Sequence, residues 1–83
     1  MYRFIIKKPA KKFIESLPMS ERRRIVDAIE RLPDSGDIKR LQGYDNLFRL
    51  RVGNYRIIYT VDHGHLVVCV IDADSRGNIY KRY

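Results

Sequence analysis

The spacing of apolar and polar positions changes once along the chain. In PAKKFIESL the apolar residues Ala10, Phe13, Ile14 and Leu17 recur at helical spacing. Pro9 suits the first turn of that helix, and Pro18 ends it. A second helix starts near Ser20 and carries Ile25, Val26, Ile29 and Leu32 on one face. Its opposite face, SERRR and neighbours, is strongly basic. Ahead of both helices, YRFIIK (2–7) reads as a short strand, and PDSG (33–36) is a turn cluster. From Leu47 onward the period is two. LFRLRV, YRIIYTV and HLVVCVI are β-rich runs separated by Gly53-Asn54 and His63-Gly64. The order is β-α-α-β-β-β. It predicts an α+β fold, a two-helix hairpin packed on one face of a small, mainly antiparallel four-stranded sheet. The pattern does not place the first strand within that sheet.

A two-residue turn at Gly53-Asn54 fixes the register of the central hairpin. Val52 pairs with Tyr55, Arg51 with Arg56, Leu50 with Ile57 and Arg49 with Ile58. Side chains alternate between faces. One face therefore collects Phe48, Leu50, Val52, Tyr55, Ile57, Tyr59 and Val61, the face to bury under the helices. The other collects Arg49, Arg51 and Arg56, then Ile58 and Thr60. A slip of one residue would bury the arginines, so the register is well specified. Like charges opposite each other destabilise a strand pair, and no acid within these strands faces them. An anion would complete such a patch, because the guanidinium fork matches phosphate oxygens bidentately. A solvated sheet face is the plain alternative.

Charge supports the anion. The 83 residues carry 17 Lys and Arg against 10 Asp and Glu, a net charge of +7, which favours a polyanion as partner. The chain, 1–83, reads as one domain. A chain of this size buries only roughly 60–65% of its unfolded surface, so its stability is modest. No run approaches the ~20 apolar residues of a membrane span. The N-terminal order, apolar before basic, is the reverse of a secretory signal. The lone Cys69, inside VVCVI, reads as a buried hydrophobe and cannot form an intrachain disulfide. Together these predict a cytoplasmic protein without membrane partners.

After VVCVI the chain continues DADSRGNIYKRY. Arg76 and Tyr80 are four apart, so one helical turn would put them on one side. Tyr80 there could orient a reacting group, exchange a proton or stack on a base; the plain alternative is an aromatic packed on the core edge. Asp72, Asp74 and Ser75 read as strand end and turn, or a helix cap. His63 and His65 flank Gly64 in a turn without a second ligand cluster, so no metal site is expected.

The ordered set now resembles the RelE toxins of the RelE/ParE superfamily of type II toxin–antitoxin systems. LQGYDNLFRLRVGNYRIIYTVD (41–62) and VVCVIDADSRGNIYKRY (67–83) carry the likeness: Leu-x-Gly, a basic-x-basic strand, Gly-x-Tyr-Arg, then Arg with an Ile-Tyr pair near the end. The helical half also fits in length and order. The resemblance implies a ribosome-dependent endoribonuclease that cuts mRNA in the ribosomal A site, without metal or other cofactor. The ribose 2′-OH attacks the adjacent phosphate, leaving a 2′,3′-cyclic phosphate and a 5′-OH. Carried onto this chain, Arg51, Arg56, Arg76 and Tyr80 are the catalytic candidates, and Arg49 holds a flanking phosphate. Arg51 and Arg56 would meet the scissile phosphate, and Arg76 the charge near the leaving 5′-oxygen. Tyr80 would position the 2′-OH or stack on a base.

The resemblance also implies an acidic, RelB-like antitoxin, with operator DNA reached only through it. Within ERRR (21–24), a solvated helix face is the plain alternative to contact with rRNA. One departure stands out. Relatives often carry lysines in the basic pair, and Lys can lose a proton where Arg cannot. Arg49 and Arg51 are thus poor general bases, which leaves Tyr80, substrate or ribosomal groups to take the 2′-OH proton. Two rival functions remain: a ParE-like gyrase poison without nuclease activity, and a plain basic nucleic-acid-binding module.

Overall fold

In a computed structural model describing residues 1–83, the chain forms β1 (Arg3–Ile6), α1 (Lys8–Glu15), α2 (Met19–Glu30), β2 (Asp37–Arg40), β3 (Phe48–Val52), β4 (Tyr55–Asp62) and β5 (Val67–Ser75), then a 3₁₀ turn, Ile79–Lys81. The α+β layout is as the sequence predicts, but the sheet has five strands, in the order β1-β5-β4-β3-β2. The addition is β2. Only one of its four residues, Ile38, packs on the core; the others are charged. A strand so short and polar carries almost no hydrophobic signal, yet it suits a sheet edge, where charge discourages pairing with other chains. The first strand lies at the opposite edge and runs parallel to β5, while the remaining pairs are antiparallel.

The hairpin register is the predicted one: Val52 faces Tyr55 and Arg51 faces Arg56. Gly53 takes φ +58°, the left-handed region that suits glycine. Leu50, Val52, Ile57, Tyr59 and Val61 are buried under the helices, with Phe48 and Tyr55 half-buried at the margin. Phe48 stacks on Tyr59 at 5.5 Å between ring centres, and burial pushes the Tyr59 hydroxyl up to about 12. From the helix side come Ala10 and Ile14 of α1, then Ile25, Ala28 and Ile29 of α2 with Leu32 just beyond it. Burying each large aliphatic side chain is worth about 1.5–3 kcal/mol. Val26 departs from expectation and is exposed. At 100° per residue the stripe of Ile25, Ala28, Ile29 and Leu32 leaves it on the flank.

The basic run on α2 is not a uniform solvated face. Arg22 donates to the carbonyls of Glu15 (2.9 Å) and Leu17 (3.3 Å), covering the end of α1. Glu21 accepts a hydrogen bond from the Tyr55 hydroxyl at 2.7 Å. Arg24 lies against the hairpin tip, where a Cβ on Gly53 would meet its Nη1 at 3.0 Å. These contacts fasten α2 to α1 and to the β3–β4 turn.

The second face of the sheet is not simply solvated. Register shifts between Ile58 and Tyr59, so Ile71 is the extra residue on β5. The bulge allows Ile71 and Asp72 both to turn outward while Val70 and Ala73 stay in the main core. Outside, Ile58, Leu47 and Ile79 form a small second core with Leu41, Ile71 and Tyr83 around it. Cys69 is only half-buried; the pleat turns it away from Val68 and Val70, which are fully buried. The β4–β5 turn also differs from a two-residue closure. Its left-handed residue is Leu66, φ +56°, and the Asp62 carboxylate accepts the His65 amide at 3.0 Å. No helix is long and apolar enough to cross a membrane.

Ile79 is fully buried and anchors the tail. Ile79→Ala is expected to lower unfolding free energy by about 2–5 kcal/mol, measured by urea denaturation.

Candidate active site

The hairpin register alone sets the arginines on the outer face. Arg49 and Arg51 project from β3, and Arg56 from β4 opposite Arg51. The hairpin strands themselves offer no acid to these arginines, but the unanticipated β2 does. Asp37 pairs with Arg51 and Lys39 with Arg49. The Asp37 carboxylate bridges two arginines, Oδ1 to Arg49 Nη2 and Oδ2 to Arg51 Nε, both at 3.0 Å. Only the edge strand brings this acid to them. A fourth cation, Lys39, joins the same face.

Arg56 is in a different position. It is only 6% exposed and has no carboxylate partner. Its Nη1 donates to the carbonyls of Gly53 and Tyr55 at 3.0 Å each, and its buried Nε has no partner; nor has that of Arg49. A buried guanidinium without a counter-ion is costly. Asp74 sits across from it in the β4–β5 register, yet its carboxylate is taken by Arg82 at 3.0 Å and by the Ser75 amide at 2.7 Å. Burial pushes the Asp74 carboxyl up, but these donors outweigh it and hold the group below the usual carboxylate value.

The tail completes the face. Asp72 and Asp74 are strand residues, not a cap: β5 runs to Ser75. Arg82 spans both acids, Nε to Asp72 at 2.9 Å and Nη2 to Asp74 at 3.0 Å. The Tyr83 hydroxyl approaches Asp72 at 3.4 Å. With Ile79 plugged against Ile58 and Leu47, this clamp brings Tyr80 to Arg49 and Arg56. Burial pushes the Tyr80 hydroxyl up, but the two guanidiniums beside it more than offset that, leaving it below the ordinary tyrosine value of 10.0. A cleft of about 280 Å³ opens here, lined by Lys39, Arg40, Leu41, Gln42, Arg49, Tyr80 and Tyr83.

Arg49, Arg56 and Tyr80 thus come together, with Arg51 alongside and turned to Asp37. Arg76 is set apart. It is exposed, and its backbone amide donates to the Asn54 carbonyl at 2.7 Å, so it sits beside the hairpin end. Arg76 and Tyr80 do not share a helical turn, because Gly77 takes φ +87° and the helical geometry starts only at Ile79. Asp37, Lys39, Arg82 and Tyr83 escaped the sequence analysis. The apolar-polar alternation of DIKR was the one signal for the first two.

The histidines lie elsewhere. His63 Nδ1 meets the Tyr2 hydroxyl at 2.7 Å, and His65 Nδ1 meets Asp62 at 2.8 Å. They follow β4, in which the six steps from Arg56 to Asp62 span ~20 Å. No group of three or more His, Cys, Asp or Glu side chains is arranged to hold a metal ion.

The Tyr80 contact can be read directly. In an ultraviolet pH titration, the difference between wild type and Tyr80→Phe should ionise below pH 10, and Arg49→Ala should move that step upward. A Tyr80 step insensitive to Arg49→Ala would break the proposed contact.

Known proteins share this architecture. Residues 4–80 match the family described as ParE toxin of type II toxin-antitoxin system, parDE. RelE1 of Methanocaldococcus jannaschii is 30% identical over 82 residues, which cover 92% of this chain and 91% of that protein. Among solved structures, the archaeal RelE–RelB complex from Pyrococcus horikoshii OT3 superposes with a TM-score of 0.76 at 30% identity, covering 92% of this chain and 96% of the other. The RelB–RelE antitoxin–toxin complex from Methanococcus jannaschii gives the same score and identity, covering 95% and 98%. The chain therefore belongs to the RelE/ParE superfamily, as a RelE-type toxin of type II toxin–antitoxin systems.

Proposed function

We propose that this toxin is a ribosome-dependent endoribonuclease that cleaves mRNA by internal transesterification. The observation that carries the proposal is Arg56, a buried cation without a carboxylate, set beside Arg49 and Tyr80. A phosphate of RNA supplies the missing anion. The 2′-oxygen bonds to phosphorus as the bond to the 5′-oxygen breaks. The 2′ proton leaves to a base, the 5′-oxygen gains a proton, and the products are a 2′,3′-cyclic phosphate and a 5′-OH. Negative charge grows on the phosphorane oxygens, where fixed guanidiniums act more strongly than on the ground state.

In this reading the roles follow from position. Arg56 and Arg49 flank Tyr80 and are best placed for the scissile phosphate. Arg51, shared with Asp37, serves a neighbouring one. Tyr80, with its hydroxyl held below the usual tyrosine value, positions the 2′-OH, and a larger fraction of it is ionised and able to accept the 2′ proton than of a free tyrosine. Arg76, exposed beside the hairpin end, would have to swing toward the substrate to meet the leaving oxygen. The arginines cannot act as bases, so alignment by the ribosome carries much of the rate. A RelB-like antitoxin of acidic character is the natural partner. The similar solved proteins are RelE–RelB complexes, and the surface carries +7.

The matching family is described as ParE toxin, which favours one second reading, a gyrase poison without nuclease activity. It gives no role to the buried Arg56 or to Tyr80.

Mapping of mRNA cuts by primer extension in a translating extract, run beside a gyrase supercoiling assay, tests both. Tyr80→Phe and Arg49→Ala should each lower cleavage about 10²-fold with melting temperature unchanged. Intact cleavage in both variants would remove these residues from the mechanism. Gyrase inhibition without mRNA cuts would replace the reaction altogether. Arg56→Met separates function from folding in the same assay. It should lose cleavage while melting at or above the wild-type temperature, because it removes an uncompensated buried charge.

A further inference from the structure

A second basic recess lies around the hairpin tip, outside the Tyr80 cleft. It has a volume of about 310 Å³ and is walled by Arg24 and Arg31 from the helix side, Arg51 from β3, and the backbone at Gly36 and Gly53. Arg24 and Arg31 are seven residues apart, two helical turns, and so share a face. Neither guanidinium forms an ion pair or hydrogen bond within the protein; the ion pairs involve other arginines and His65. Glu21, one turn from Arg24, is engaged by the Tyr55 hydroxyl. Asp37 is the one carboxylate in the recess, and both its oxygens are committed to Arg49 and Arg51. Arg24 is also held in place. Gly53, at φ +58°, leaves so little room that a Cβ would lie 3.0 Å from Arg24 Nη1 and 3.3 Å from its Cζ.

Arg51 joins the two sites. It lines this recess, whereas Arg49, two residues back on the same strand, lines the Tyr80 cleft. Two residues of extended strand span ~7 Å, comparable with neighbouring phosphates along an extended single strand. Asp37, within the recess, grips an arginine from each cleft.

We propose that the Arg24–Arg31–Arg51 recess is a second phosphate-binding site, which holds the backbone of the same RNA strand next to the nucleotide seated at Arg56 and Tyr80. This rests on the RNA-cleaving reading, which it extends by fixing the path of the strand around the hairpin tip. Guanidinium forks at the recess take phosphate oxygens bidentately, and backbone contacts there hold the strand without reading its bases.

The test is the salt dependence of binding to single-stranded RNA carrying a 2′-deoxy block at each position, followed by fluorescence anisotropy. For a single strand, each neutralised phosphate adds about 0.7 to the slope of log affinity against log salt. Arg24→Ala/Arg31→Ala should lower that slope by about 0.7 on a long oligonucleotide and leave it unchanged on a dinucleotide, which cannot reach the recess. Lys8→Ala/Lys11→Ala, equal in charge but on α1, should leave both slopes unchanged. Circular dichroism confirms that the variants fold. An unchanged slope for Arg24→Ala/Arg31→Ala on the long strand, or an equal drop in the α1 control, overturns the proposal. So does a loss confined to an acidic peptide ligand, which would assign the recess to a protein. The assay reads binding with an uncleavable strand. A wild type that fails to cut mRNA on ribosomes yet shows the predicted slopes would refute the nuclease reading and leave the second site standing.

Discussion

A two-residue turn at Gly53-Asn54 governs the rest of this molecule. It pairs Val52 with Tyr55 and thereby assigns every side chain of β3 and β4 to a face. The apolar set meets the helices, and the arginines gather on the opposite side. Arg51 and Arg56 are forced into direct opposition, a pairing that destabilises strands by a fraction of a kcal/mol to about 1 kcal/mol. Burial of Leu50, Ile57 and Tyr59 is far larger, so the core holds the register and the arginines must tolerate it.

The molecule answers that repulsion unevenly. Asp37 reaches in from the edge strand and takes Arg49 and Arg51 together, at an exposed position where such pairs contribute little net stability. Arg56 receives no such acid. The carboxylates nearest to it in the register, Asp72 and Asp74, are turned to Arg82, which ties down the tail. The same two acids that could neutralise the site instead build it, by fixing the segment that delivers Tyr80. A charge left uncompensated at a place shaped by three strands and a tail is the observation on which the proposed binding of an external anion rests.

Membership in the RelE/ParE superfamily agrees with that picture without replacing it. A second, outer core of Leu47, Ile58 and Ile79 holds the last few residues. A terminus otherwise frays. Here the β-bulge at Ile71 supplies an extra outward apolar residue for it to pack on, and the Arg82 clamp closes the end. Loss of that packing would release Tyr80 while leaving the main core intact.

How much of this could be read from the sequence follows from the range of the interactions. Both helices, the three long strands, the hairpin register and the burial of its apolar face are local patterns of period 3.6 or 2, closed by a turn whose chemistry is written in two residues. Arg49, Arg51 and Arg56 were placed on one face by alternation alone. Four things were not legible. β2 is too short and charged to stand out, so Asp37 and the fifth strand went unseen. Val26 lies at the edge of a helical stripe, where spacing does not separate buried from exposed. The separation of Arg76 from Tyr80 depends on the left-handed turn at Gly77. The approach of Tyr80 to the arginines depends on Ile79 finding a pocket built by a bulge on one strand and a loop from another. The sequence by itself determined the elements and their faces, because those follow from neighbours within a turn or a pleat. Only the tertiary structure decided which charges meet, because the pairings of Asp37, Tyr80 and Arg82 join residues brought together by burial elsewhere in the fold.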